Sequence, residues 1–175
     1  MVKKSFLFLV VLFLSFHIFP ATMCPRVRQV PKDLQEQIFL NPKDNIVALA
    51  KFLAGAGDAS SKMKNLHDWI CDNIAYDCDA FTEQGAGEQG YEAVLKKKRA
   101  VCVGYANLMA VMCEIVGVEA EIVYGWSKGF NYPGYLREQA DHAWNAIKIG
   151  GLYNDRDIVE ATAKRMNIDR KSTRL

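Results

Sequence analysis

Three side chains in the second half of the chain have the types that thiol chemistry requires. Cys102 stands in "RAVCVGYANLMAVMCEIVG", Arg99 to Gly117, at the start of an apolar run that reads as a helix from about Cys102 to Val116 and stops at Gly117. A helix start leaves backbone N–H groups without partners and carries the positive end of the dipole, so a thiolate is favoured there. Cys113 shares the stretch but lies three turns inside, near Met112 and Ile115, where a cysteine reads as a small buried hydrophobe.

A thiolate nucleophile needs an imidazole to share its proton and a third group to orient that imidazole. Of the three histidines, His17 lies in an apolar N-terminal segment and is set aside. His67 sits in an amphipathic helical stretch, where a surface or half-buried histidine is the ordinary reading. His142 opens a strand in "DHAWNAIKIGG", directly after a long polar and aromatic loop, where a rigid scaffold meets a cover. Gly150-Gly151 predicts a hairpin turn into the next strand. Residues then pair when their numbers sum to about 301. His142 falls opposite position 159, one diagonal step from Asp157, while Asp155 shares that face but is farther off. Cys102, His142 and Asp157 are therefore the candidate nucleophile, base and orienting carboxylate.

The elements that must hold these groups follow from periodicity. "PKDLQEQIFLNPKDNIVALAKFLAG", Pro31 to Gly55, reads as one or two short helices punctuated at Asn41-Pro42. "SSKMKNLHDWICDNIAYD" predicts an amphipathic helix with Met63, Leu66, Trp69, Ile70 and Ile74 on one face, capped by Asp58, Ser60 or Ser61. Ala80 to Gly90 predicts a loop and Tyr91 to Leu95 a short helix. After the central helix, "VEAEIVYGW", "HAWNAIKI" and "LYNDRDIV" predict three antiparallel strands. The order is that of an α+β fold, a helical N-terminal half whose central helix packs on an antiparallel sheet.

With 175 residues the chain can bury one core. A net charge of +2, spread evenly, does not predict nucleic acid as a partner. The cation run in "LKKKRAVC" reads as a solvated loop before the helix. Residues 1–23 have the charged-then-apolar layout of a secretory signal peptide, or of an anchor if uncleaved. Cys24 admits a lipidated alternative, and in either case the membrane is met only through this segment. A secreted or extracytoplasmic location is expected. Residues 24–57 form an N-terminal helical segment, 58–159 the core and 160–175 a basic tail. The five cysteines leave at least one unpaired. Cys71 and Cys78, on one continuous helix, would stand about 10.5 Å apart, too far to bridge. No C-x-x-C pair occurs, so no metal is expected and no cofactor is implied.

"LHDWICDNIAYD", "RAVCVGYANLMAVMCEIVGVEAEIVYGW" and "DHAWNAIKIGGLYNDRD" resemble the three successive motifs of the transglutaminase-like superfamily. The resemblance covers roughly Asp58 to Val159. It implies a papain-like core with Cys102 as nucleophile, His142 as base and Asp157 as the residue that orients it. It also implies acyl transfer or hydrolysis at an amide, either a glutamine side chain or a peptide bond, in a protein or peptide substrate. Two departures stand out. Ala100 or Val101 replaces the family's glycine before the cysteine. The chain after Asp157, "IVEATAKRMNIDRKSTRL", lacks the family's threonine-tryptophan pair. The competing expectation is a catalytically silent module of the same fold that binds proteins or cell-wall peptides. The oligomeric state is left open.

Overall fold

The computed structural model describes residues 28–81, 85–127, 134–135 and 138–156, with the backbone alone from 153 onward. The N-terminal segment with Cys24, Asp157 and the basic tail lie outside the described residues. Among the described residues no helix is long and apolar enough to cross a membrane.

Asn41-Pro42 divides the first helical stretch in two, α1 (Lys32–Leu40) and α2 (Pro42–Ala54). Proline takes the first position of α2, where its missing N–H costs nothing. Helix α3 (Ala59–Asn73) starts at Asp58, whose carboxylate accepts the Ser61 N–H at 2.8 Å. Helix α4 spans Tyr91–Lys97 and α5 Cys102–Ile115. The sheet has β3 (Ala120–Gly125), β4 (His142–Ile149) and β5 (Leu152–Arg156), in that order and antiparallel. Asn145 faces Arg156 and Ile149 faces Leu152, which is the register read from the glycine turn. Gly150 and Gly151 both have positive φ, 61° and 84°, as a two-residue hairpin of this kind requires.

Two expectations are corrected. The amphipathic helix stops at Asn73, before Ile74, and Ala75–Tyr76 forms a strand, β1, parallel to β2 (Arg99–Ala100). The cause is tertiary. The Ala75 N–H donates to Lys98 O and the Asp77 N–H to Ala100 O, both at 2.9 Å, and the Tyr105 hydroxyl donates to Ile74 O at 2.7 Å. Partners more than twenty residues away capture this backbone, and helical periodicity has no record of them. Cys71 and Cys78 are consequently on different elements, and no disulfide joins them.

The cation run is likewise more than a loop. Lys96 and Lys97 end α4, Lys98 adopts the left-handed conformation (φ 53°) and Arg99 opens β2. Lys98 Nζ lies 4.1 Å from the Phe39 ring centroid, and Arg99 pairs with Asp79 at 2.9 Å.

The core joins α2, α3, α5 and β4 through Leu49, Leu53, Leu66, Trp69, Leu108, Met109, Met112 and Ile147, all at most 1% exposed. Burying each Leu or Met of this set contributes about 1.5–3 kcal/mol. Trp69 combines burial with a hydrogen bond to Gln35 Oε1 at 3.1 Å and a stacked contact with Phe39. This core holds α5 against the sheet and presents its N-terminal end at the start of β4.

Candidate active site

Cys102 is the first residue of α5, after an N-cap, Val101, in extended conformation whose side chain makes no cap hydrogen bond. The turn into the helix is fixed from outside. Gln89 Oε1 accepts the Val101 N–H at 3.1 Å, Gln89 Nε2 donates to Ala86 O at 2.6 Å, and Asn107 Nδ2 donates to Gln89 O at 3.0 Å. The segment before α4 is thereby laced to the first turns of α5. Glycine at 104 makes this close approach possible. A β-carbon there would meet Gln89 Oε1 and come within 2.9 Å of Ala100 Cβ and Val94 Cγ2.

His142, first residue of β4, brings its ring to Cys102, and the backbone N–H groups of Ala143 and Val103 also act on the ionisation of the sulfur. Burial pushes the Cys102 thiol up. The His142 hydrogen bond, the Ala143 N–H, the imidazolium charge and the Val103 N–H together outweigh it and hold the thiol below its ordinary range. Cys113 has no such company. It is fully buried, and burial pushes its thiol up to about 12. The two cysteines of one helix thus differ in ionisation as their positions predict.

The neighbours of His142 on β4 complete the setting. Trp144 stacks on the His142 ring, with centroids 5.8 Å apart and 28° between planes. Asn145 is 1% exposed, and its Nδ2 donates to Ala106 O of α5 at 3.1 Å. At the mouth of the β3–β4 connection, the Asp141 N–H donates to Gly125 O at 2.9 Å and the Ser127 N–H to Asp141 Oδ1 at 2.8 Å. Of the three candidate residues the fold brings Cys102 and His142 together. Asp157 lies outside the described residues, and β5 is described as far as Arg156. His67 contacts Asp68, at 3.3 Å, and Cys71 within its own helix.

Gln89, Trp144 and Asn145 escape sequence reasoning. Asn145 alone leaves a signal, as a polar residue between Ala143 and Ile147 on the apolar face of β4. Among the described residues no group of acidic, histidine and cysteine side chains could hold a metal ion. An open groove of about 560 Å³ runs between α5 and β3, past Asn107, Val111, Glu114, Ala120 and Ile122, and neither Cys102 nor His142 lines it.

The chain is similar in sequence and in fold to several known proteins. The kyphoscoliosis peptidases of Mus musculus and Homo sapiens are each 36% identical over 88 residues, which is 49% of this chain and 13% of theirs. The chain thus spans about an eighth of the length of these curated relatives. The periplasmic domain of TgpA from Pseudomonas aeruginosa superposes with a TM-score of 0.56 at 19% identity, over 86% of this chain and 55% of that one. A crystal structure of a TGase superposes at 0.52 with 16% identity, over 74% and 34%. These two likenesses establish the fold. The family model described as the transglutaminase-like superfamily matches residues 47–157, from α2 through β5 and one residue beyond. The match spans well over half of the sequence, and the chain belongs to the transglutaminase-like superfamily.

Proposed function

We propose that the protein is a cysteine enzyme that opens an amide, of a glutamine side chain or a peptide bond, through a thioester on Cys102. The observation that carries this reading is the pairing of Cys102, at the start of α5, with His142, at the start of β4, which helps hold the thiol below its ordinary range. The thiolate adds to the amide carbonyl, and the backbone N–H groups of the helix start stabilise the developing oxyanion. His142 as imidazolium gives its proton to the departing nitrogen, the C–N bond breaks, and ammonia or an amine leaves. The neutral imidazole then removes a proton from the acceptor, a lysine amine or water, which displaces Cys102 and releases the new amide or the acid. Asp157 is assigned the orientation of His142, from its place one diagonal step away in the hairpin register. The substrate is a protein or peptide. The charged-then-apolar layout of residues 1–23 supports a location outside the cytoplasm.

The test uses casein with a fluorescent primary amine, followed by mass spectrometry for amine incorporation, deamidation and chain cleavage in parallel. The expected result is one of these products from the native protein and none from Cys102→Ala. Equal product from both proteins, or native Cys102 alkylated by iodoacetamide at pH about 6 no faster than a free thiol, overturns the proposal.

A further inference from the structure

His142 reaches Cys102 from the first residue of a strand, just after a long connection, and a base in that position needs something to hold its ring. Trp144, two residues on and on the same face of β4, supplies a stacked ring at 5.8 Å. The indole is in turn held from behind. Gly125 of β3 is the register partner of His142, so Trp144 is its diagonal neighbour. A β-carbon on residue 125 would stand 2.6 Å from Trp144 Cη2 and 3.0 Å from Cζ3. The backbone at Gly125 is not in the left-handed region. Glycine is therefore required here by space, for the indole to lie against bare backbone. The Gly125 carbonyl is also tied to the chain entering β4, through the Asp141 N–H at 2.9 Å. Backbone of β3 at Gly125, indole and imidazole thus stand in successive close approach, and the imidazole meets Cys102.

From this arrangement we infer that Trp144, seated on Gly125, is a positioning residue that holds the His142 ring toward Cys102 and stabilises its protonated form with the face of the indole. The inference rests on the reading of His142 as the base for Cys102. Two effects follow from the geometry. A stacked neighbour removes rotamers of the imidazole that point away from the sulfur. An indole face beside an imidazolium also favours the charge, as it does for other cations. Among the described residues Cys102 of α5 is the titratable group whose ionisation this ring shifts, Asp141 precedes it in the chain, and the proposed function adds Asp157 as the carboxylate that orients it. The Asp141 carboxylate accepts the Ser127 N–H.

The experiment needs no substrate. Alkylation of Cys102 by iodoacetamide is followed by peptide mass spectrometry from about pH 4 to about pH 9, in the full chain and in Trp144→Ala, Trp144→Phe and Gly125→Ala. Fully buried Cys113 serves in the same digest as a reporter of folding. The expected result is a plateau of fast alkylation in the native protein. Trp144→Ala lowers it about three- to tenfold and narrows it from both sides. Trp144→Phe keeps it within about twofold, and Gly125→Ala behaves like Trp144→Ala although the indole is present. A native protein without the plateau defeats the proposed function itself. A native plateau that survives unchanged in Trp144→Ala and Gly125→Ala, with Cys113 protected, defeats this inference alone. Exposure of Cys113 in both variants also defeats it, because the indole would then hold the fold and not the histidine.

Discussion

Asn145 of β4 donates to the carbonyl oxygen of Ala106 in α5 at 3.1 Å, one helical turn beyond Cys102, while His142 and Cys102 meet one step earlier on the same two elements. The buried amide fixes the slide of strand against helix, and with it the separation of thiol and imidazole. The Asn145 Oδ1 atom is buried without a hydrogen-bond partner among the described residues, a cost the fold sustains to keep the other half of the amide in place.

Asn145→Ala is expected to lower the unfolding free energy by about 1–3 kcal/mol and to slow alkylation of Cys102. Asn145→Asp is expected to cost more, since it buries a carboxylate against a carbonyl. Urea titrations of the three proteins check the order, and Asn145→Asp more stable than Asn145→Ala would contradict it.

His142→Gln removes the ring hydrogen bond and the charge that lower the Cys102 thiol and leaves the burial that raises it. The thiol is therefore expected to rise toward or above its ordinary value, with alkylation at pH about 6 falling at least about tenfold. Ultraviolet thiolate absorbance against pH, compared with Cys102→Ala, measures the shift directly.

Gly104→Ala forces a methyl into the space shared by Gln89, Ala100 and Val94. The expected destabilisation is roughly 1–3 kcal/mol. Because Gln89 is one of the obstructing groups, the pair Gly104→Ala with Gln89→Ala is expected to be non-additive. A double-mutant cycle with no coupling would show that the methyl is accommodated elsewhere.

Asp58 caps α3, and the backbone and side-chain hydrogen bonds of Ser61 hold its carboxyl below the ordinary range. The folded value lies below the unfolded one, so the cap's contribution is fully present above the ordinary carboxylate range and is lost as pH falls through the folded value. Asp58→Ala is expected to melt at a lower temperature than the native protein near neutral pH, with the difference shrinking in acid. A constant difference across pH would assign the effect to helix propensity instead.

Much of this architecture is legible in the residues. Pro42 divides the first helices, Gly117 ends the central one, and Gly150-Gly151 sets the register of β4 and β5, because proline and glycine act on their own backbone. The strand β4 begins at His142 and the helix α5 at Cys102, as period and breaker positions predict. Cys113 separates from Cys102 by its depth in one helix, a distinction that needs no partner.

What only the tertiary structure decided involves groups that meet from distant segments. The end of α3 at Asn73 depends on Lys98, Ala100 and Tyr105 taking the backbone that follows it. Gln89 is an ordinary polar loop residue until the fold sets it against Val101 and Gly104. Gly125 reads as the end of a strand until the indole of Trp144 is seen to lie on it. Local pattern records the conformation a residue prefers. Close approach between segments records which residues had to be small, polar or aromatic for Cys102 and His142 to meet, and that information exists only once the chain is folded.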